Sequence, residues 1–185
     1  MKREVEHLRL GAGETFRGEG ILAITRALPE HGVASVGGCQ GAPISHLMDA
    51  LADAGDILGE LGVRFEASAS EAASVAMLSA SMRYPRRGAA TFKSKLGLNV
   101  ASDALSNLAS GGVTGGAPII PGEDYGEGSS ILQERSHAIA MKSQVWLLDP
   151  RPTLPSIVKA VGDGFALSDA SNTPVMLQGA SAVAM

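Results

Sequence analysis

Glu71 is the side chain best placed to do chemistry. It follows an apolar run of strand type and stands in the first turn of a helical segment, the edge at which open α/β sheets hold ligands. A carboxyl group there can hydrogen-bond a bound molecule, although the helix dipole alone also favours acidic residues in first turns. Lys93 and Lys95 flank Ser94 at the end of another strand-like run, ahead of Gly97, Leu98 and Asn99 at a helix start. Such lysines either hold a carboxylate or phosphate or remain solvated surface charge. The loop 122–130, GEDYGEGSS, also lies between a strand and a helix, and its backbone amides could cradle an anion. It has no P-loop lysine, however, and Glu123, Asp124 and Glu127 would repel phosphate, so a protein contact or the edge of a cofactor is the better expectation. His7, His31, His46 and His137 show no metal-ligand spacing, Cys39 has no second thiol, and Ser129 and Ser130 lack a nucleophile elbow. No metal site is expected.

These residues need a scaffold, and apolar β-type runs alternating with segments of helical period predict one α/β domain: an open, mainly parallel sheet with helices on both faces. Helices are expected at about 18–28, from Pro43 through Ile44, Leu47, Met48 and Leu51, at 71–83 capped by Ser70, at 98–109, and from Ser130 to about 142 with Gln133 completing a capping box. A further helix starts at Thr153 and carries Leu154, Ile157, Val158 and Val161 on one face, after which Gly162, Asp163 and Gly164 read as a turn. Strands are expected at 33–36, 63–67, 89–92, 117–120, 145–148 and 174–177. The small residues of 72–80 would let another backbone approach, so a domain or subunit contact is expected there.

With 185 residues, 45% of them hydrophobic, the chain can bury a core without metal or disulfide staples. Its net charge of -4 and scattered lysines and arginines argue against nucleic acid as a partner. A single cysteine can neither close an internal disulfide nor hold an iron–sulfur cluster, which suits a reducing cytoplasm. No run approaches the roughly 20 apolar residues of a membrane span.

Several stretches together resemble one family. They are GCQGAPIS at 38–45, SEAASVA at 70–76, GLNVASD at 97–103, the loop 122–130 followed by Gln133, Glu134 and Arg135, WLLDPRP at 146–152 and ASNTPVML at 170–177. In this order they look like the N-terminal region of the indolepyruvate ferredoxin oxidoreductase alpha subunit, over about residues 14–177. The resemblance implies the pyrimidine-binding domain of a thiamine diphosphate enzyme. The full complex would decarboxylate aryl pyruvates oxidatively to acyl-CoA and pass electrons to ferredoxin. Glu71 matches the cofactor-activating glutamate, whose carboxyl favours the imino tautomer of the aminopyrimidine, the base that deprotonates the thiazolium. Pro43, Ser45, Lys93, Gly97 and Asn99 are implied as cofactor-binding neighbours.

Three departures qualify what the resemblance implies. Ala42, Pro43, Ile44 and Ser45 stand where many relatives have Thr-Pro-Ser-Ser, removing a hydroxyl near cofactor or substrate. The domain that binds diphosphate and Mg²⁺, and the cysteine-rich iron–sulfur motifs, have no counterpart. Gly162-Asp163-Gly164 is no substitute for the diphosphate motif, because it follows a helix and Asn172 comes too soon. Residues 178–185, QGASAVAM, resemble nothing, so the expectation is a domain over 1–177 with a divergent tail left by truncation. The first expectation is therefore a half-site, inactive alone, that needs a diphosphate-binding domain or second subunit and could form a homodimer. The rivals are a noncatalytic assembly or regulatory module docking on intact homologous subunits, and a split enzyme completed by a neighbouring gene.

Overall fold

The computed structural model describes residues 2–11, 13–126, 128–133 and 135–180. In chain order the elements are α1 (Lys2–Val5), α2 (Gly20–Glu30), β1 (Val33–Gly38), α3 (Ser45–Asp53), α4 (Gly55–Glu60), β2 (Arg64–Ala67) and α5 (Glu71–Leu78). Then come β3 (Arg87–Lys93), α6 (Leu96–Val100), α7 (Ser102–Gly111), β4 (Pro118–Glu123), α8 (His137–Ser143), β5 (Trp146–Leu148), α9 (Leu154–Ser171), β6 (Val175–Leu177) and β7 (Gly179–Ala180). Short 3-10 turns follow α1 and α5.

The strands form one parallel sheet in the order β2-β1-β3-β4-β6-β5, and β7 extends the pairing of β4 beyond β6. Because successive side chains on a strand point to opposite faces, the sheet divides the core in two. Ala89, Ile120 and Leu177 enter a cluster with Leu28 of α2, Leu47 of α3 and Phe165 of α9. Their neighbours Ala90, Ile119 and Met176 enter a second cluster with Val75 of α5, Leu98 of α6 and Leu105 of α7. The fold is thus the open parallel α/β sheet, helices on both faces, that the sequence pattern predicts.

Strand order also fixes where a ligand belongs. The chain runs from β1 outward to β2, then crosses back over β1 to β3, so the direction of winding reverses between β1 and β3. Crevices in open α/β sheets form at the carboxyl ends of the strands flanking such a point. Close side-chain packing is allowed there by Gly38, where a Cβ would come 3.1 Å from Thr91 Cγ2 and would overlap the Met48 side chain. That glycine lets α3 close down on the end of β1.

Two expected elements differ. The helix from Ser130 does not form: α8 starts only at His137, and Ser130 Oγ instead accepts from Leu132 N–H at 3.3 Å and from Lys93 Nζ at 2.9 Å. The capping-box spacing loses because the preceding loop is gathered around Asp124. Nor is Gly162-Asp163-Gly164 a turn. It lies inside α9, which continues to Ser171 and stops at Asn172 in the left-handed region (φ 53°). The glycines are tolerated because Gly162 faces the His31 ring and Gly164 faces Leu148, Pro118 and Val175. The expected helix 98–109 begins earlier and breaks at Ala101 into α6 and α7. Of the tail 178–185, residues 181–185 lie outside the described residues, while Gln178 is buried and β7 joins the sheet.

Candidate functional site

Ser70 caps α5 as its type suggests: its Oγ accepts from Ala73 N–H at 3.2 Å, leaving Glu71 as the first helical residue. Since α5 packs across β1 and β3, this start lies over the crevice at the winding reversal. The Glu71 side chain is half-buried there. It lies against the beginning of α6, where a Cβ on Gly97 would come 3.0 Å from Glu71 Cγ, 3.1 Å from its Oε1 and 3.2 Å from Phe92 Cδ2. Gly97 therefore leaves the space the carboxyl occupies, and Phe92, fully buried, forms the floor.

Cys39, just past β1, faces the same carboxyl. Burial first, and then the Glu71 carboxylate, push the thiol's pKa up. Neither composition nor spacing pointed to this pair, because Cys39 and Glu71 are joined only by the parallel crossover. The chain between β3 and α6 turns through Lys95 at φ 36°, a backbone conformation costly for a residue carrying a Cβ and one that tends to concentrate at functional sites.

Lys93 ends β3, and its Nζ donates to Ser130 Oγ at 2.9 Å. Its stem fills the space beside Gly41, where a Cβ would lie 2.8 Å from Lys93 Cβ. Pro43, buried and joined to Ala42 by a cis peptide, leads with half-buried Ser45 into α3, whose approach rests on Gly122 at the end of β4. The crevice thus gathers Glu71 with Gly97, and Lys93 with Ser130. Asn99 stands apart: it is exposed on α6, in a cleft shared with Lys95, Gln133 and Arg135.

The loop after β4 is not an anion cradle. Its amides are turned onto the chain's own Asp124, whose carboxylate accepts from Ser130 N–H at 2.7 Å, Ser129 at 2.8 Å, Gly128 at 3.0 Å and Gly126 at 3.2 Å. Those bonds hold the carboxyl well below the usual carboxylate range. An aspartate followed, one residue further on, by Gly-x-Gly-Ser-Ser is the signal for this arrangement, since Asp readily bonds backbone a few residues on. Beside it the fully buried Glu123 accepts from the Gln178 amide. The Tyr125 phenol is pushed up, first by burial and then by that Glu123 carboxylate. Among the described residues no group of three His, Cys, Asp or Glu side chains is placed to hold a metal ion, and no helix is long and apolar enough to cross a membrane.

No protein-family model matches the chain. The indolepyruvate oxidoreductase subunit IorA of Methanothermobacter marburgensis is 29% identical over 171 residues, which are 92% of this chain and 27% of the relative. The chain therefore spans about a quarter of that relative's length. Among solved structures, the 2-oxoglutarate:ferredoxin oxidoreductase of Magnetococcus marinus superposes with a TM-score of 0.71 at 17% identity, covering 95% of this chain and 33% of that one. Benzoylformate decarboxylase of Polynucleobacter necessarius superposes with a TM-score of 0.68 at 16% identity, covering 89% and 30%. At these identities the structural matches establish the fold. Sequence and fold together make the chain similar, over nearly its whole length, to part of an indolepyruvate oxidoreductase subunit and to part of a 2-oxoglutarate:ferredoxin oxidoreductase.

Proposed function

We propose that this chain supplies the aminopyrimidine side of a thiamine diphosphate site in a 2-oxoacid ferredoxin oxidoreductase. Its substrate is indolepyruvate or a related aryl pyruvate, and the assembled enzyme releases an acyl-CoA and passes electrons to ferredoxin. The observation that carries this reading is the half-buried Glu71 carboxyl, seated against Gly97 in the crevice at the winding reversal. The names of the similar proteins support the reaction class, for indolepyruvate, 2-oxoglutarate and benzoylformate are all 2-oxo acids. Thiamine diphosphate, when bound, supplies the electron sink that loss of CO₂ from such an acid requires.

The donor set fits one end of that cofactor. Glu71 offers a carboxyl to a ring nitrogen and holds the shared proton there, while Phe92 and Cys39 limit water around it. Gly97 leaves that carboxyl its space. Lys93, tethered to Ser130, brings a cation to the rim, and Pro43 and Ser45 line the approach from α3. Asn99 is the weakest member of the set, since it faces a separate cleft. The amides after β4 are engaged by Asp124, which leaves the diphosphate without a cradle in that loop. The diphosphate and Mg²⁺ are therefore assigned to a diphosphate-binding domain or second subunit, and the iron–sulfur centres to other parts of a cytoplasmic complex.

The test is reconstitution. The chain should be mixed with a diphosphate-binding domain from a homologous oxidoreductase, and hydrogen–deuterium exchange at C2 of added thiamine diphosphate followed by NMR. Exchange should accelerate in the mixture and fall by about 10²- to 10⁴-fold with Glu71→Ala, the range of a lost acid–base group. Exchange that ignores the substitution, in a mixture that binds the cofactor, overturns the assignment.

A further inference from the structure

At the opposite, amino-terminal edge of the sheet, a cleft of about 570 Å³ opens between the end of α2 and the start of β3. Its polar lining consists of His31, Tyr84, Arg86 and Arg87, and among the described residues no carboxylate lines it. Arg87 is a structural member: it donates to Asp169 Oδ2 at 2.6 and 3.0 Å and to the His31 carbonyl at 2.7 Å. Arg86 and the His31 ring are different, because neither makes a side-chain hydrogen bond or ion pair among the described residues.

Both are nevertheless held in place. The His31 ring packs on Gly162, where a Cβ would come 2.7 Å from Cε1 and 2.8 Å from Nε2, and it lies 6.3 Å from the Phe165 ring. Glycine inside a helix is costly relative to alanine, and here it makes room for an imidazole that is half-buried with both nitrogens unpaired and neither sealed from the cleft. The Arg86 backbone is equally fixed. Its N–H donates to Tyr84 O at 2.7 Å, its carbonyl accepts from Ser81 Oγ at 3.0 Å, and Gly115 packs so closely on it that a Cβ would overlap that carbonyl. Two unpaired donors, each presented from a rigid support beside an exposed tyrosine ring, are the marks of a binding site.

We propose that this cleft binds a phosphate monoester, with the phosphate between Arg86 and His31 and its organic part against Tyr84 and Pro85. A planar guanidinium meets phosphate oxygens through paired N–H donors, and the third oxygen of a phosphate suits the added imidazole better than a carboxylate would. Tyr84, 66% exposed, offers a face on which a planar group can stack. The inference is independent of the thiamine reading, since it uses the other edge of the sheet.

The test is an NMR titration of the full chain with phenyl phosphate, inorganic phosphate and benzoate, at constant ionic strength in sodium chloride. Phenyl phosphate should shift the His31 ring and the Gly32 and Arg86 amides saturably, more tightly than inorganic phosphate and far more tightly than benzoate. Arg86→Ala should weaken binding by about tenfold or more, as loss of a charge-assisted pair requires, and should leave the melting temperature unchanged. Tyr84→Ala should reduce phenyl phosphate to the affinity of inorganic phosphate. Shifts that stay linear, benzoate binding as tightly as phenyl phosphate, or wild-type affinity in Arg86→Ala each overturn the proposal.

Discussion

Replacing Gly97 by alanine tests whether α6 really seats the Glu71 carboxyl. The added methyl would stand 3.0 Å from Glu71 Cγ, 3.1 Å from Oε1 and 3.2 Å from Phe92 Cδ2, each a few tenths of an ångström inside ordinary contact. Phe92 is fully buried and cannot retreat, so the half-buried glutamate must swing away. Overpacking of this kind costs about 1–3 kcal/mol, against which alanine regains about 0.5–1 kcal/mol of helix propensity over glycine. The net loss in urea unfolding should be about 1 kcal/mol. A double-mutant cycle separates the terms, because Glu71→Ala removes Cγ and Oε1 while leaving the propensity gain and the Phe92 contact in both backgrounds. Two of the three close contacts then vanish, so Gly97→Ala should cost about 0.5–1 kcal/mol less in the Glu71→Ala chain, within the range seen for touching residues. Additivity within about 0.3 kcal/mol would refute the seating and, with it, the reason given for a glycine at 97.

Two further outcomes follow from the same geometry. The Cys39 thiol is held up by burial and by Glu71, so at neutral pH it should react with a thiol reagent more slowly than in unfolded chain; Glu71→Gln should speed the reaction at fixed pH, and an unchanged rate would separate the two groups. Asp124 has its pKa lowered in the folded state, so it contributes stability that is present above the unfolded carboxylate pKa of about 4 and is lost as pH falls toward the folded value. Asp124→Asn should therefore flatten the acid limb of a stability–pH curve and raise amide exchange at Ser129 and Ser130, and an unchanged acid limb would contradict the role given to those bonds.

The sheet and the place of Glu71 were legible because their signals are local. Alternating apolar runs predict the strands, and Ser70 before an acidic first turn marks the start of α5. What local pattern does not carry depends on partners distant in the chain. Ser130 and Gln133 have the spacing of a capping box, yet Ser130 is claimed by Lys93, which lies 37 residues earlier. Gly162 and Gly164 look like a turn until His31 and the strand residues fill the spaces beside them. The Cys39–Glu71 pair likewise exists only after β2 and α5 carry the chain back across the sheet.

The division of the interior into two clusters has a consequence for how this domain can change over time. Leu28, Leu47 and Phe165 of α2, α3 and α9 pack on one side of the strands, while Val75, Leu98 and Leu105 of α5, α6 and α7 pack on the other. Among the described residues no side chain of one cluster belongs to the other, so the strands act as a partition. Substitutions that reshape one slab can accumulate while the other keeps its geometry.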